Sequence, residues 1–181
     1  MLDAPPSLLG EPEVGDVVRQ GGHPPIVAGP YGAAMTSSTD IPALIHGSQG
    51  FVATLGPRVL SVDPARLRLD AGPELHNHLG GPHAAAIFGL GETTAFVVLL
   101  RVFGDLVDAG AVPLVKSSQI GYAAVATGPL LAEGTLTGDE ASARAALAEK
   151  GRATFDVQVR FRREADDVET AVATYVMALR S

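Results

Sequence analysis

The chain has 181 residues, of which 46% are hydrophobic and 18% are charged, a balance typical of a folded domain rather than a disordered chain. It has no cysteine, which excludes disulfides, zinc–thiolate sites and thiol nucleophiles. The formal net charge of −7 argues against a broad nucleic-acid surface, since such a surface needs a basic stripe. It leaves room for a local basic pocket that binds one phosphorylated ligand.

The first 34 residues carry many prolines and glycines and no sustained helical or strand period. We therefore predict a disordered N-terminal extension over residues 1–34 and a single domain over residues 35–181. The N-terminus has acids and prolines where a secretory signal has a basic region and an apolar run. The longest unbroken apolar run in the best helix candidate is far short of the ~20 residues of a membrane span. We expect a cytoplasmic protein that contacts no membrane.

Short elements open the predicted domain. Asp40 suits a helix N-cap and Pro42 suits the first turn, so a short helix is predicted over residues 41–53. Asp63-Pro64 is typical of a turn, and in the segment after it leucines alternate with charged residues, as in a half-buried strand. The segments on either side of this turn predict strands over residues 58–62 and 65–70.

Residues 82–107 are apolar at nearly every turn, and a helix that is apolar on all sides must be surrounded by protein. Pro82 suits the first turn of this helix and Gly110 suits its end. Glu92 is the one carboxylate in its first half. We expect a buried Glu92, and buried acids are costly and cluster at active sites.

A two-residue period replaces the helical one after residue 112. It predicts strands over residues 112–126, 130–137, 154–162 and 167–179, with a short helix over residues 141–150. Strands that are joined by hairpins favour an antiparallel sheet, and a helix that is apolar all round requires the sheet to curl about it. The predicted fold class is therefore α+β, with an antiparallel sheet wrapped around one long central helix in the hotdog arrangement.

The junction between the loop and this helix reads NHLGGPHAAAIFGLGE over residues 77–92. Here the chain resembles hotdog-fold thioesterases of the phenylacetate-degradation type and their DUF4442 relatives. In that family an asparagine precedes a glycine-rich turn, a histidine opens the helix, and a carboxylate follows two to three turns later. The matching residues are Asn77, Gly80, His83, Phe88, Leu90 and Glu92. The resemblance extends over residues 41–181, and its specific part is this motif.

The resemblance implies hydrolysis of an acyl-CoA or related thioester. The backbone amides of Ala84 and Ala85 would stabilise the oxyanion at the N-terminus of the helix. Glu92 would act as general base or nucleophile, across a dimer interface, on the partner's helix N-terminus. Asn77 would orient the water or the thioester, and His83 would support the turn or contact the acyl group.

Coenzyme A would enter as part of the substrate, and no separate cofactor is predicted. Gly80 and Gly81 would shape the turn. Ser117 and Ser118 lie on the strand where some relatives place a hydroxyl near the reacting water. Lys116 and Arg160 suit the phosphates of coenzyme A. The alternative is that these serines and cations are ordinary solvated strand residues. The candidate contacts are Gly80, Gly81, Lys116, Ser117, Ser118 and Arg160.

Other interpretations remain open. Asn77 suits a turn former, His83 suits a helix-opening residue, and Glu92 could pair with Arg101. The family's usual His-Gly-Gly is His-Ala-Ala at residues 83–85, where two methyl groups would crowd a thioester. This departure favours, as the alternative, a non-catalytic hotdog protein that binds acyl groups or coenzyme A esters, or a dehydratase-like relative. A purely structural protein is the third hypothesis.

Glu74, His76, His78 and His83 are close in sequence, but they lie in a loop rich in glycine and proline, and no later histidine follows. We therefore predict no metal site. An isolated hotdog unit leaves one sheet edge exposed, so we expect a homodimer or a dimer of dimers, with a thioester substrate and no nucleic-acid partner.

Overall fold

The computed structural model describes residues 40–181, so the extension predicted over residues 1–34 lies outside the described residues. The helices are α1 (Ile41–His46), α2 (Phe51–Leu55), α3 (Ala84–Asp108) and α4 (Glu140–Lys150). The strands are β1 (Arg58–Ser61), β2 (Ala65–Leu69), β3 (Val112–Tyr122), β4 (Leu130–Leu136), β5 (Arg152–Arg163) and β6 (Glu169–Arg180). A 3-10 turn at Pro73–Leu75 precedes α3.

The predicted order of elements is confirmed, with a correction near its start. The pattern predicts one helix over residues 41–53, whereas the chain forms α1 and α2. Gly50 between them has a φ of 66°, which is a left-handed backbone that an α-helix does not include. Asp40 caps α1 as expected, because its carboxylate accepts a hydrogen bond from Ala43 N–H at 3.0 Å. β3 ends at Tyr122, before the predicted end of its strand.

The six strands form one antiparallel sheet in the order β1-β2-β4-β5-β6-β3. At its centre Val157 of β5 lies opposite Tyr175 of β6, which in turn lies opposite Ser118 of β3. Residues of β5 and β6 alternate between buried and more exposed positions, so one face of the sheet packs against protein. β3 is an edge strand, and its outer side pairs with no other strand of residues 40–181.

α3 packs against the buried face of this sheet. Leu90, Val97, Val98 and Leu99 of the helix are fully inaccessible to solvent. Gly134 of β4 permits the close approach, because a methyl group there would lie 2.8 Å from Val98 Cγ2. The side chains that the sheet contributes include Leu67, Leu69, Val157, Val159, Phe161, Tyr175 and Met177. The arrangement is the hotdog fold, in the α+β class predicted from the sequence.

One side of α3 is left uncovered, which corrects the expectation that protein surrounds this helix. Ala85 and Glu92 are exposed, while Phe88 and Phe96 are half-buried. These four residues recur every three or four positions and so form one stripe along the helix, which we call the open stripe. The sheet covers α3 from the other side, and Glu92 therefore lies at the surface of a single chain.

The 25 residues of α3 are long and apolar enough to cross a membrane by length and composition. Most of that stretch is buried inside the fold, which is the state of a core helix.

Arg144 fastens α4 to the C-terminal half of α3. Its guanidinium pairs with Asp105 at 2.8 Å and donates to the carbonyl of Val102 at 2.5 Å. It also pairs with Glu140 at 2.8 Å and lies 5.3 Å from the ring centroid of Phe103. The planar fork of arginine can bond several acceptors at once, and here it lowers the pKa of the Asp105 carboxyl below its usual value. α4 is thus joined to the core helix by side-chain contacts.

Gly91→Ala is expected to destabilise the protein, although alanine is the better helix former. A methyl group at Gly91 would lie 2.5 Å from Phe161 Cζ and would collide with the hydroxyl of Tyr175, and both rings are fully buried. Overpacking of this kind typically lowers the free energy of unfolding by about 1–3 kcal/mol. Gly89→Ala is the matched control, since its methyl group would meet the exposed ring of Phe51, which can move aside. Urea denaturation measures both variants, and equal stabilities would contradict this packing.

Candidate active site

Asn77 organises the loop that leads into α3. Its side-chain oxygen accepts hydrogen bonds from Leu79 N–H at 2.8 Å and from Gly81 N–H at 3.4 Å. Its amide nitrogen donates to the carbonyl of Pro82 at 3.3 Å. The side chain therefore acts as a turn former, which was one of its two interpretations, and its role toward a substrate stays a prediction.

Backbone geometry requires glycine at two positions of this loop. Gly80 has a φ of 76°, a conformation that side chains with a Cβ rarely adopt. A methyl group on Gly81 would collide with the carbonyl oxygen of Ala126. Both glycines are thus required for the loop to reach the start of α3, and their contact with coenzyme A stays a prediction.

His83 is the N-cap of α3. Its backbone is extended, and its Nδ1 accepts a hydrogen bond from Ala85 N–H at 3.0 Å. Its carbonyl accepts from Ala86 N–H and Ile87 N–H at 2.9 and 3.0 Å. A neutral imidazole that accepts at Nδ1 carries its proton on Nε2. One of the two amides expected in the oxyanion hole, that of Ala85, is therefore occupied by the cap, whereas the Ala84 amide bonds to no other residue within 40–181.

Two tyrosines, which no sequence motif indicates, join the sheet to the first turns of α3. The hydroxyl of Tyr122 donates to the carbonyl of Ala84 at 3.2 Å, and that of Tyr175 donates to the carbonyl of Phe88 at 2.7 Å. The rings of Phe88 and Tyr175 also pack at a centroid distance of 5.5 Å. Ala84, Phe88 and Glu92 are successive i, i+4 positions, so the two hydroxyls bond to helix carbonyls two turns and one turn before the acid.

Glu92 projects from the open stripe in the same region. Within residues 40–181 it forms no ion pair or hydrogen bond through its side chain, and Arg101, its candidate partner, pairs with Asp63 at 2.5 Å instead. The pKa of Tyr175 is raised, first by burial of the hydroxyl and then by the negative charge of Glu92. Tyr175 therefore stays a protonated hydrogen-bond donor beside the carboxylate. The exposed position arises because the sheet covers only the opposite side of the helix.

The remaining predicted contacts divide between two places. Ser117 and Ser118 are exposed on β3, and Lys116 lies at the irregularity in the pairing of β3 with β6. Arg160 is exposed on β5, where the residues on either side of it are buried against α3, and it pairs with Glu169 at 2.8 Å. Successive strand residues point to opposite faces, so Arg160 lies on the sheet face away from α3.

Histidine and carboxylate side chains do not gather into a metal site in the described part of the chain. No group of three or more such ligands is in position to hold a metal ion there. His76, the first histidine of the loop, places Nε2 3.0 Å from the carbonyl oxygen of Ala71. The chemistry that this region can offer is that of a carboxylate, hydroxyls and a backbone amide.

Tyr175→Phe is expected to lower stability by about 1 kcal/mol at neutral pH, because a buried hydrogen bond to the Phe88 carbonyl is lost. The raised pKa of Tyr175 stabilises the fold below the unfolded value of about 10, and this contribution is lost as the pH rises further. The stability gap between wild type and variant should therefore narrow above about pH 10. Chemical denaturation at several pH values measures the gap. Tyr122→Phe is the comparison: burial also raises the pKa of this half-exposed tyrosine, but by less, so its gap should narrow less. A gap that stays constant in Tyr175→Phe would refute the assignment.

The sequence matches the DUF4442 family, which is described as a domain of unknown function, over residues 42–178. No curated protein matches it significantly. A Pseudomonas aeruginosa protein of unknown function, described as a probable thioesterase, is 26% identical with a TM-score of 0.67, over 78% of this chain and 93% of that chain. A thioesterase family protein from Silicibacter pomeroyi is 15% identical with a TM-score of 0.62, over 80% and 98%. A Chlorobaculum tepidum protein of unknown function is 15% identical with a TM-score of 0.66, over 80% and 94%.

The match spans the loop motif, α3 and at least part of every strand of the sheet. The similar solved structures share the fold, and they include members of the thioesterase superfamily. The chain therefore belongs to the DUF4442 family and has the hotdog fold of thioesterase-like proteins.

Proposed function

We propose that this protein hydrolyses acyl-CoA or related thioesters, with Glu92 as general base or nucleophile. The observation that carries the proposal is a carboxylate without an ion-pair partner in the described residues, placed on the otherwise apolar open stripe. Two tyrosine hydroxyls bond to carbonyls in the turns of α3 that precede Glu92. The thioesterase names of similar folds support the reaction class.

The chemistry needs a base and an oxyanion donor around one carbonyl group. The Ala84 amide is a donor at a helix N-terminus, where the helix dipole favours negative charge. Glu92 activates a water or attacks the thioester carbon, so that the thiolate leaves as coenzyme A. Tyr175, held protonated by burial, keeps the surroundings of the carboxylate neutral. The His83 imidazole must turn away if the Ala85 amide is to act as the second donor.

Glu92 cannot act on a substrate bound at the N-terminus of its own helix. It lies eight residues from Ala84, which is about 12 Å along a helix axis, whereas a general base must act within about 3 Å or through one water. A second copy of the chain supplies a helix N-terminus that Glu92 can reach. The proposed catalyst is therefore at least a homodimer, with two composite sites.

The edge strand β3 offers the surface for such a dimer. It spans 11 residues and pairs on one side only within the described chain. Val112, Leu114, Val115 and Tyr122 on it are all exposed. Long exposed apolar edge strands pair with other chains unless they are blocked, and we propose that β3 pairs with its copy, with a dimer of dimers as the larger assembly.

A specific observation also favours the second candidate, a protein that binds acyl or coenzyme A esters without turnover. The cap by His83 occupies the Ala85 amide, and the alanines of the motif add methyl groups at the helix mouth. Thermal stabilisation by a panel of acyl-CoAs, without release of thiol from any of them, would support binding over catalysis.

Glu92→Gln is expected to lower kcat for thioester hydrolysis by about 100-fold or more, since general acid–base catalysis contributes at least that much. Release of free thiol from a panel of acyl-CoAs measures the rate. Glu149→Gln is the matched control, because Glu149 is also an exposed helical glutamate, on α4. Full activity in Glu92→Gln would remove Glu92 from the mechanism.

Val115→Lys is expected to weaken the dimer, because it places a charge on the apolar edge of β3. Val168→Lys is the control: its side chain is equally exposed, 37% against 36%, but it lies outside β3. Light scattering of both variants over a range of protein concentrations measures the mass. A wild-type protein that is monomeric at all concentrations would refute the composite site.

A further inference from the structure

A cavity of about 780 Å³ lies between α4 and the ends of β3, β5 and β6. Its walls include the apolar residues Ala143 and Ala146 of α4, Phe155 of β5 and Leu179 of β6. The volume falls in the range of small-molecule sites, which combine apolar walls with a few polar groups. α4 is the element that closes this cavity on one side, and the proposed catalytic groups of Ala84 and Glu92 do not line it.

Four lysine and arginine side chains that have no ion-pair or hydrogen-bond partner within residues 40–181 line the cavity. The sequence has 13 lysines and arginines, of which Arg19 lies outside the described residues, leaving 12. Ion pairs hold Arg66, Arg68, Arg101, Arg144, Arg160, Arg162 and Arg163, and Arg58 interacts with the charge of Glu164. The other four line the cavity, and within residues 40–181 their side chains form no ion pair or hydrogen bond. They are Lys116, Lys150, Arg152 and Arg180.

The charges within the cavity repel one another. Arg152 and Arg180 occupy directly opposite positions of β5 and β6, and like charges in that relation are destabilising. Asp139 is the one carboxylate among the lining residues. It caps α4 by accepting from Ser142 N–H at 2.8 Å, so it is shared with the helix. Four cations against one carboxylate leave an excess of positive charge, in a chain whose formal charge is −7.

We infer that this cavity binds a phosphate-bearing ligand. Arginine forks match phosphate oxygens in pairs, and each such charge-assisted bond is stronger than a neutral one. The apolar walls would hold the organic part of the ligand. Binding would also remove the repulsion between Arg152 and Arg180. β3 contributes Lys116 to the cavity and, six residues further along, Tyr122 to the candidate active site, which is about 20 Å along a strand.

Two sources of the phosphate are to be distinguished. The first is the nucleotide part of a coenzyme A ester, and this assignment rests on the proposed function. The second is a free nucleotide or phosphate that binds apart from any substrate. Calorimetry with coenzyme A, adenosine 3′,5′-bisphosphate and inorganic pyrophosphate separates them. Binding of the first two alone assigns the coenzyme A source, and binding of pyrophosphate assigns a free phosphoanion. Absence of binding by all three at millimolar concentrations overturns the inference.

The variant that tests the site is the double substitution Arg152→Gln and Arg180→Gln. We expect its Kd for the bound anion to rise by about ten-fold or more, and wild-type binding to weaken with added salt. Arg58→Gln is the matched control, because Arg58 is an exposed arginine of β1 that does not line the cavity. Unchanged affinity in the double variant overturns the inference. Since binding of coenzyme A, the bisphosphate and pyrophosphate is measured without turnover, this result stays separate from that of hydrolysis.

Discussion

The packing of α3 against one face of a single sheet governs the rest of this structure. The helix is apolar almost all round, yet the sheet covers it from one side, so that fully buried residues such as Val97 and Val98 coexist with the open stripe. Burial of the residues that the sheet covers stabilises the fold through the hydrophobic effect. The open stripe is left as a surface on which the carboxylate of Glu92, the rings of Phe88 and Phe96 and the N-terminus of α3 are accessible.

The start of α3 shows how one group of atoms can serve either stability or catalysis. The first N–H groups of a helix have no partner within the helix, and they can be satisfied by a cap or by a ligand. His83 takes the Ala85 amide in the free chain, which stabilises the helix end. An anionic oxygen at the same place would compete with the imidazole, so the position of His83 decides whether the Ala85 amide is open to such an oxygen.

The fold was predictable from the sequence because periodicity reports burial. The alternation in β5 and the long apolar run of α3 both identify elements without any knowledge of their partners. Other features depended on contacts between distant residues. Tyr175 bonds to a carbonyl 87 positions away, and nothing in the local pattern signals that pairing.

The position of Glu92 illustrates a different limit of the pattern. An apolar helix face has the same sequence signature whether it packs on the sheet of its own chain or remains uncovered in that chain, so the exposure of Glu92 did not follow from the sequence. The split between α1 and α2 likewise depended on the φ of Gly50, since glycine is compatible with several conformations. The clustering of four cations at one cavity required the register of β5 and β6 as well as the position of α4.

The attachment of α4 to the core helix by Arg144 has a thermodynamic consequence for the cavity beside it. Contacts with Asp105 and the Val102 carbonyl hold the wall in place before anything binds. Ordering a mobile segment on association opposes binding through lost conformational entropy. A ligand that enters here would meet a preorganised wall and would lose none of its interaction energy to ordering that wall.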